Sequence, residues 1–379
     1  MKLRPAVGSG FERLLGTVGG WSGGSTGVRM AASSLEDSTV DDYARHWATF
    51  TGWCDANGLA PLPATPPMIL AYVGFLAEKG TIAADSLQPY LSAINTYHLD
   101  HGLERPALGH VVTAARRGMR RAQAQLRTRD SRVPLPAEHA LRAITDALAK
   151  LPEWRLRLSK RALAEQLRRR FATALAFVFM GRQDSAVHLA ASDFGVDSDF
   201  IWLRLTEKMK RGQALRRIIR LPLGASPAGG VPSALPQLAA LGQAYLLARE
   251  ALGDGQAMLF QLPREPKPVT RHMEAWVSVT FDEVGAVAPP GFVYLGHSLR
   301  SGGSSAAEAI RVPRYRGNWL GGWSQSGRTR EVHYLDPSIL PTPAAYALFG
   351  WLLAGEYGLD QPVWVARRGA TPCDEPGEA

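Results

Sequence analysis

A change of hydrophobic period constrains this chain more than any other feature. Tyr43, Trp47, Phe50 and Cys54 recur at three- and four-residue intervals, as one face of an α-helix requires. Ile69, Tyr72, Val73 and Leu76 repeat the pattern, and so do Leu91, Ile94 and Tyr97. At residues 200–206 the period drops to two: Ile201, Leu203 and Leu205 alternate with Trp202, Arg204 and Thr206, the signature of a half-buried strand. Residues 215–223 read as its hairpin partner. Helical spacing covers 137–150 and 161–181 before the hairpin, and 233–252, 268–285, 297–311 and 342–355 after it. One small antiparallel sheet inside a mainly helical chain is the predicted architecture.

The chain has 379 residues, which favours two domains over one. Pro134 and Pro136 interrupt the helical pattern and supply the break. The predicted division is a tail at 1–37, a helical domain at 38–130, a linker at 131–136, a mixed α+β domain at 137–360 and a tail at 361–379. The first 34 residues hold eight glycines and one acid, Glu12, without apolar periodicity. Gly20-Trp21-Ser22-Gly23-Gly24 satisfies the G-x-S-x-G nucleophile pattern there, but no strand precedes it, so it is set aside. Apolar residues at 46% and charged residues at 20% exclude a disordered or fibrous chain. Two cysteines, Cys54 and Cys373, supply neither a disulfide framework nor a four-thiolate metal site. No apolar run is long enough to span a bilayer. No P-loop, H-E-x-x-H or C-x-x-C occurs, so no cofactor, metal or membrane partner is expected. An intracellular location is expected, the nucleus in a eukaryotic host and the nucleoid-bearing cytoplasm in a prokaryotic one.

Lys and Arg number 43 against 34 Asp and Glu, a formal charge of +9 that suits an acidic partner. The charge is concentrated. Arg116, Arg117, Arg120, Arg121, Arg127, Arg129 and Arg132 stand against one acid, Asp130. The first four fall at i, i+1, i+4 and i+5, one helical stripe suited to phosphates. Further along come Gly181-Arg182, the hairpin turn Glu207-Lys208-Met209-Lys210-Arg211, and His297-Ser298-Leu299-Arg300, whose i, i+3 spacing puts imidazole and guanidinium on one helical face. Gly321-Gly322-Trp323 and Arg330-Glu331-Val332-His333-Tyr334 follow.

This ordered set of Arg, hairpin Lys, H-x-x-R, Gly-Gly-Trp and Tyr resembles the tyrosine recombinases of the phage integrase family over roughly residues 38–340. Each motif is weak alone; five in the family's order are specific. The resemblance implies an N-terminal helical (SAM-like) core-binding domain and a mixed α+β catalytic domain with a small antiparallel sheet. Together they would close on DNA as a C-shaped clamp across the arginine-rich linker. It implies site-specific recombination of double-stranded DNA by a homotetramer on two sites, without a metal. Tyr334 would be the nucleophile, and Arg182 and Arg300 would hold the non-bridging oxygens of the scissile phosphate. Lys208 would protonate the leaving oxygen, His297 would take part in proton transfer from Tyr334, and Trp323 would donate its indole N–H. Arg116, Arg117, Arg120, Arg121, Lys210 and Arg211 would bind the DNA backbone.

Competing readings stand beside these roles. Arg182 has Asp184 and Asp193 within reach as ion-pair partners, Trp323 suits a core position, His297 suits a structural one, and Tyr315 and Tyr346 compete with Tyr334. Tyr334 follows Trp323 by 11 positions, longer than is usual in the family, which places an insertion around Ser326-Gly327-Arg328. Ser185 stands where the family commonly has an acid, with Asp184 beside it. The alternatives are a domesticated, catalytically inactive DNA-binding protein and a type IB topoisomerase-like nicking-closing enzyme. The apolar segment 346–353 fits either its own core or a neighbouring copy.

Overall fold

The computed structural model describes residues 37–80, 82–126, 131–208, 214–253, 257–323, 328–353 and 363–365. The chain divides into two compact units, Met1–Thr128 and Arg129–Ala379. The first is helical throughout its described residues: α1 (Asp37–Ala56), α2 (Pro66–Glu78), a 3-10 turn (Ala84–Ser86), α3 (Leu87–Asp100) and α4 (His110–Leu126). Pro66 and Pro67 open α2 and Pro89 lies in the first turn of α3, where backbone N–H groups have no intrahelical partner to lose. Phe50, Ile69, Tyr72, Leu87, Leu91 and Ile94 meet in one buried core, and Trp47 stacks on Tyr97 with ring centroids 4.3 Å apart. Val112 and Met119 turn α4 into this core, leaving Arg117, Arg120 and Arg121 exposed on its outer side. Arg116 is partly covered and donates to Gln88 Oε1 at 3.0 Å.

The second unit runs β1 (Ser131–Arg132), α5 (Ala137–Arg157), α6 (Lys160–Val178), α7 (Gln183–Val187), β2 (Phe194–Val196), β3 (Phe200–Lys208), β4 (Ala214–Pro222), α8 (Leu235–Glu250), α9 (Thr270–Glu283), β5 (Phe292–Val293), α10 (Gly296–Ala309), α11 (Arg314–Gly321), α12 (Thr329–His333), α13 (Pro343–Phe349) and β6 (Val363–Val365). Its centre is α6: residues 171 to 178 are all buried, and α5, α8, α9 and α10 pack around them. A stretch apolar on nearly every side must be enclosed, and this C-terminal half of α6 is. The sheet order is β2-β3-β4-β6, antiparallel, with Leu203 opposite Ile219 and Ile201 opposite Leu221. Those four side chains face the core, as their alternation requires. A separate parallel pair joins β1 to β5, with Arg132 opposite Val293.

This is the mainly helical architecture with a small antiparallel sheet expected from sequence. The differences lie at its edges. The helix read as 137–150 runs on through Pro152 to Arg157. The helix read as 342–355 stops at Phe349, with a 3-10 turn after it, and Leu348, Phe349, Trp351 and Leu352 are buried in the unit's own core. Of the stretch expected as C-terminal tail, residues 363–365 add a strand to β4. Helix α11, eight residues and largely polar, gave no periodic signal.

Candidate active site

Four of the expected side chains come together where α10, the end of α11 and α12 meet. The Arg300 guanidinium carbon lies 3.9 Å from the Trp323 ring centre and 5.0 Å from that of Tyr334. The Tyr334 ring sits 5.0 Å from His297 and 5.2 Å from Trp323, measured between centroids. Arg300 is buried and donates through Nη1 to the Met180 carbonyl. Met180 adopts a positive φ of 50°, a conformation that costs a non-glycine residue about 1 kcal/mol. Arg182 follows two residues later as the N-cap of α7 and is exposed. Arg300 and the backbone that carries Arg182 are thus tied together directly.

The local sequence explains the cluster. Helix α10 is rich in small residues, and a Cβ on Gly302 would stand 2.2 Å from the Leu135 carbonyl oxygen, one on Gly303 2.4 Å from that of Phe177. Only glycine lets α10 approach α6 and the segment leading into α5 so closely, and this approach brings His297 and Arg300 to the α6 end where Met180 and Arg182 lie. Gly322 ends α11 at φ +69°, a left-handed cap. A Cβ on Gly321 would meet the Trp323 ring at 1.8 Å. The Gly-Gly pair therefore turns the chain and clears room for the indole, whose buried Nε1 has no hydrogen-bond partner among the described residues.

Tyr334 is seated by its backbone. Its N–H donates to the Arg330 carbonyl at 2.9 Å, and its carbonyl accepts from the Ser305 hydroxyl at 3.2 Å, while Ser305 Oγ takes the Asp336 N–H at 2.9 Å. Arg330 lies fully buried beneath: Nε donates to Ser304 Oγ at 2.8 Å, Nη2 donates to the Ser304 carbonyl at 3.1 Å, and Nη2 pairs with Glu308 at 3.1 Å. Sequence reasoning missed Arg330, Ser304 and Ser305. The one available signal was an arginine a helical turn before Tyr334 in a sequence whose α10 offers two adjacent serines. Burial, with the charges of Arg132 and Arg300 beside it, holds the His297 imidazole below its ordinary value, which favours a neutral ring able to accept a proton.

Lys208 is the last residue of β3, opposite Ala214. Lys210, Arg211 and the Ser326-Gly327 part of the insertion lie outside the described residues, as does the Gly20–Gly24 motif. Arg116, Arg117, Arg120 and Arg121 belong to α4 of the first unit. Asp184 is 3.2 Å from His188 Nδ1, and Asp193 is 3.8 Å from Arg204, so both carboxylates have partners other than Arg182. Tyr315 is exposed on α11, and Tyr346 covers Gly229. Among the described residues no helix is long and apolar enough to cross a membrane.

Comparison with known proteins bears on this arrangement. No family model matches the chain. A curated relative, the integrase/recombinase xerD homolog of Selenomonas ruminantium, is 32% identical over 96 residues, 24% of this chain and 28% of that protein. The match thus spans little more than a quarter of the relative's length. Among solved structures, a XerH site-specific recombinase bound to difH in a pre-cleavage complex superposes with a TM-score of 0.53 at 13% identity, covering 80% of this chain and 78% of that one. Its post-cleavage complex on a palindromic difH substrate gives 0.51 at 13% identity, over 89% and 84%. A lambda integrase (75–356) dimer bound to a COC' core site gives 0.50 at 17% identity, over 82% and 92%. At these identities the likeness is one of fold.

Proposed function

We infer that this chain is a tyrosine recombinase, an intracellular enzyme that cuts and rejoins double-stranded DNA at specific sites through a covalent protein–DNA intermediate. The observation that carries the reading is the packing of one tyrosine against one buried arginine, one histidine and one tryptophan. The shared fold of XerH and lambda integrase, solved on their DNA sites, supports it.

In this reading Tyr334 Oη attacks the scissile phosphorus, forming a P–O bond to the phenol and breaking the bond to the 5′-oxygen. A 3′-phosphotyrosyl linkage and a free 5′-hydroxyl result, and the linkage conserves the phosphodiester for rejoining. The phenolic proton passes toward His297, the neighbouring ring held in its neutral form. Arg300 and Arg182 neutralise the charge that develops on the non-bridging oxygens, with geometry a guanidinium supplies and an ammonium does not. Trp323 offers its unpartnered indole N–H to the same phosphate. Lys208, carried by the β3 end, protonates the leaving 5′-oxygen. Arg116, Arg117, Arg120 and Arg121, with Lys210 and Arg211, bind the backbone on either side. A homotetramer on two duplexes completes strand exchange. No step calls for a metal.

The test begins with duplexes selected for binding from a random-sequence library, each then nicked at successive positions so that cleavage releases a short fragment and traps the intermediate. Incubated with the full chain in chelator, such DNA yields an SDS-stable adduct on Tyr334 by mass spectrometry, absent in Tyr334→Phe. An adduct on another tyrosine would keep the recombinase and discard this placement of the nucleophile. No adduct on DNA bound specifically would favour the non-catalytic binding protein, and relaxation of plasmid by the monomer the nicking-closing enzyme.

A further inference from the structure

The arginine run does not end at the linker. Its last member, Arg132, lies inside the second unit on β1, whose parallel pairing with β5 sets Arg132 opposite Val293, three residues before α10 begins. The pairing continues past the strand: Val133 N–H reaches the Val293 carbonyl at 3.4 Å and Leu135 N–H the Ser298 carbonyl at 3.0 Å. Segment 131–135 therefore runs beside 292–298, with Arg132 opposite Val293, just ahead of the first turn of α10 that carries His297. The Arg132 side chain is exposed and forms no ion pair or hydrogen bond among the described residues. Its charge acts on His297 together with that of Arg300. A second guanidinium charge acting at the same histidine as the buried Arg300, with no carboxylate partner among the described residues, raises a positive potential that a bound anion would relieve.

We propose that Arg132 is a phosphate-binding residue of the Tyr334 site, contacting a DNA phosphate next to the scissile one and joining the linker to the catalytic cluster. The proposal rests on the recombinase reading for the identity of the anion. The placement of Arg132 on a strand paired with β5, which leads directly into the helix that carries His297 and Arg300, distinguishes it from the arginines of α4, which lie in the other unit. Backbone pairing fixes the strand from which this side chain projects, so a phosphate bound at the site finds a positive charge within its reach.

Two measurements decide it. In the full chain carrying histidine labelled for NMR, Arg132→Gln raises the titration midpoint of His297, which faces Arg132 from β1, Arg300 on its own helix and the Tyr334 phenol from α12. The same variant weakens the response of His297 to inorganic phosphate by several-fold, and Arg132→Lys restores part of both. Unchanged titration and unchanged phosphate affinity would overturn the proposal, and this arm needs no DNA and no chemistry. In the second, Arg132→Ala slows adduct formation on the nicked duplex by roughly ten- to a hundred-fold, the loss expected for one charged hydrogen bond. A methylphosphonate at the contacted phosphate slows the wild type similarly, and on that DNA Arg132→Ala has no further effect. Equal losses on every methylphosphonate duplex would overturn the contact. A wild type that forms no adduct at all refutes the nucleophile while leaving the first arm to judge Arg132.

Discussion

The two units use arginine in opposite ways. On α4 of the first unit Arg117, Arg120 and Arg121 project from a helix whose other side, Val112 and Met119, is buried. In the second unit Arg168, Arg170, Arg217, Arg300 and Arg330 are buried. Each of these has a defined partner: Glu265 for Arg168, Glu283 for Arg170, the Trp319 and Leu320 carbonyls for Arg217, Met180 for Arg300, and Ser304 with Glu308 for Arg330. An exposed guanidinium contributes charge, which any phosphate in any register satisfies. A buried one contributes position, because its desolvated charge is tolerable only against fixed partners such as these. In the recombinase reading proposed here, the first unit would supply charge along the DNA and the buried arginines of the second would fix the place of the scissile phosphate.

The sharpest way to break this contrast is Arg300→Lys. Charge is kept and the planar fork is lost, so if charge alone mattered the variant would cut at close to the wild-type rate. The expected outcome is a loss of about a hundred- to a thousand-fold in adduct formation on nicked DNA, with binding to the same duplex nearly unchanged. Next in size is Arg330→Met, which keeps the volume but removes the donors that Ser304 and Glu308 match. It should cost roughly 2–4 kcal/mol in a denaturant titration. It should also slow cleavage, because the carbonyl that receives the Tyr334 N–H belongs to this residue. Glu308 is half exposed and rehydrates when the arginine is gone, which keeps the cost below that of stranding a fully buried charge.

The contrast also marks how far sequence could be read. Helical faces such as Tyr43, Trp47, Phe50 and Cys54, and the alternation of Ile201, Leu203 and Leu205, follow from local periodicity and appear in the structure where they were expected. His297, Arg300, Trp323 and Tyr334 are singled out by the order of their motifs and its resemblance to a family, and the structure brings the four side chains together. What stayed hidden is tertiary. Nothing near Met180 announces that its carbonyl receives Arg300 from 120 residues away. Nothing in a run of serines and glycines announces that Ser304 and Ser305 seat the tyrosine segment, since small residues in a helix read equally as poor helix formers. Nor does the arginine count separate solvated arginines from buried ones, because the separation depends on what each helix packs against.

Smaller effects are expected on α4. Arg117→Gln, Arg120→Gln and Arg121→Gln should each weaken DNA binding a few-fold, equally for selected and unrelated duplexes. Each arginine that neutralises one phosphate in the wild type should, once replaced, lower the slope of log affinity against log salt concentration by about 0.9. Cleavage of bound DNA should keep its rate. A variant that left the salt slope intact but changed sequence preference would assign that arginine to base readout and blur the contrast between the units.

The weakest effect tests the first unit's interior, where the buried polar group is a histidine in place of an arginine. His98 is buried on α3, its Nε2 accepts the Ala64 N–H at 2.8 Å, and its Nδ1 lies 2.8 Å from the Ile94 carbonyl, to which it donates. Both partners are satisfied only by the neutral ring protonated on Nδ1; a second proton would face the Ala64 donor. Burial, with the charge of His101 nearby, holds His98 below its ordinary value. The folded unit therefore binds this proton less readily than the unfolded chain does, and stability is lost as pH falls below about 6.5, the unfolded value. Hydrogen exchange followed residue by residue in the full chain should show α3 opening more readily at pH 5.5 than at pH 7.5. His98→Gln, which offers one donor and one acceptor at every pH, should flatten that dependence. An unchanged pH response in the variant would place the acid-sensitive group elsewhere and leave the first unit's core indifferent to its one buried imidazole.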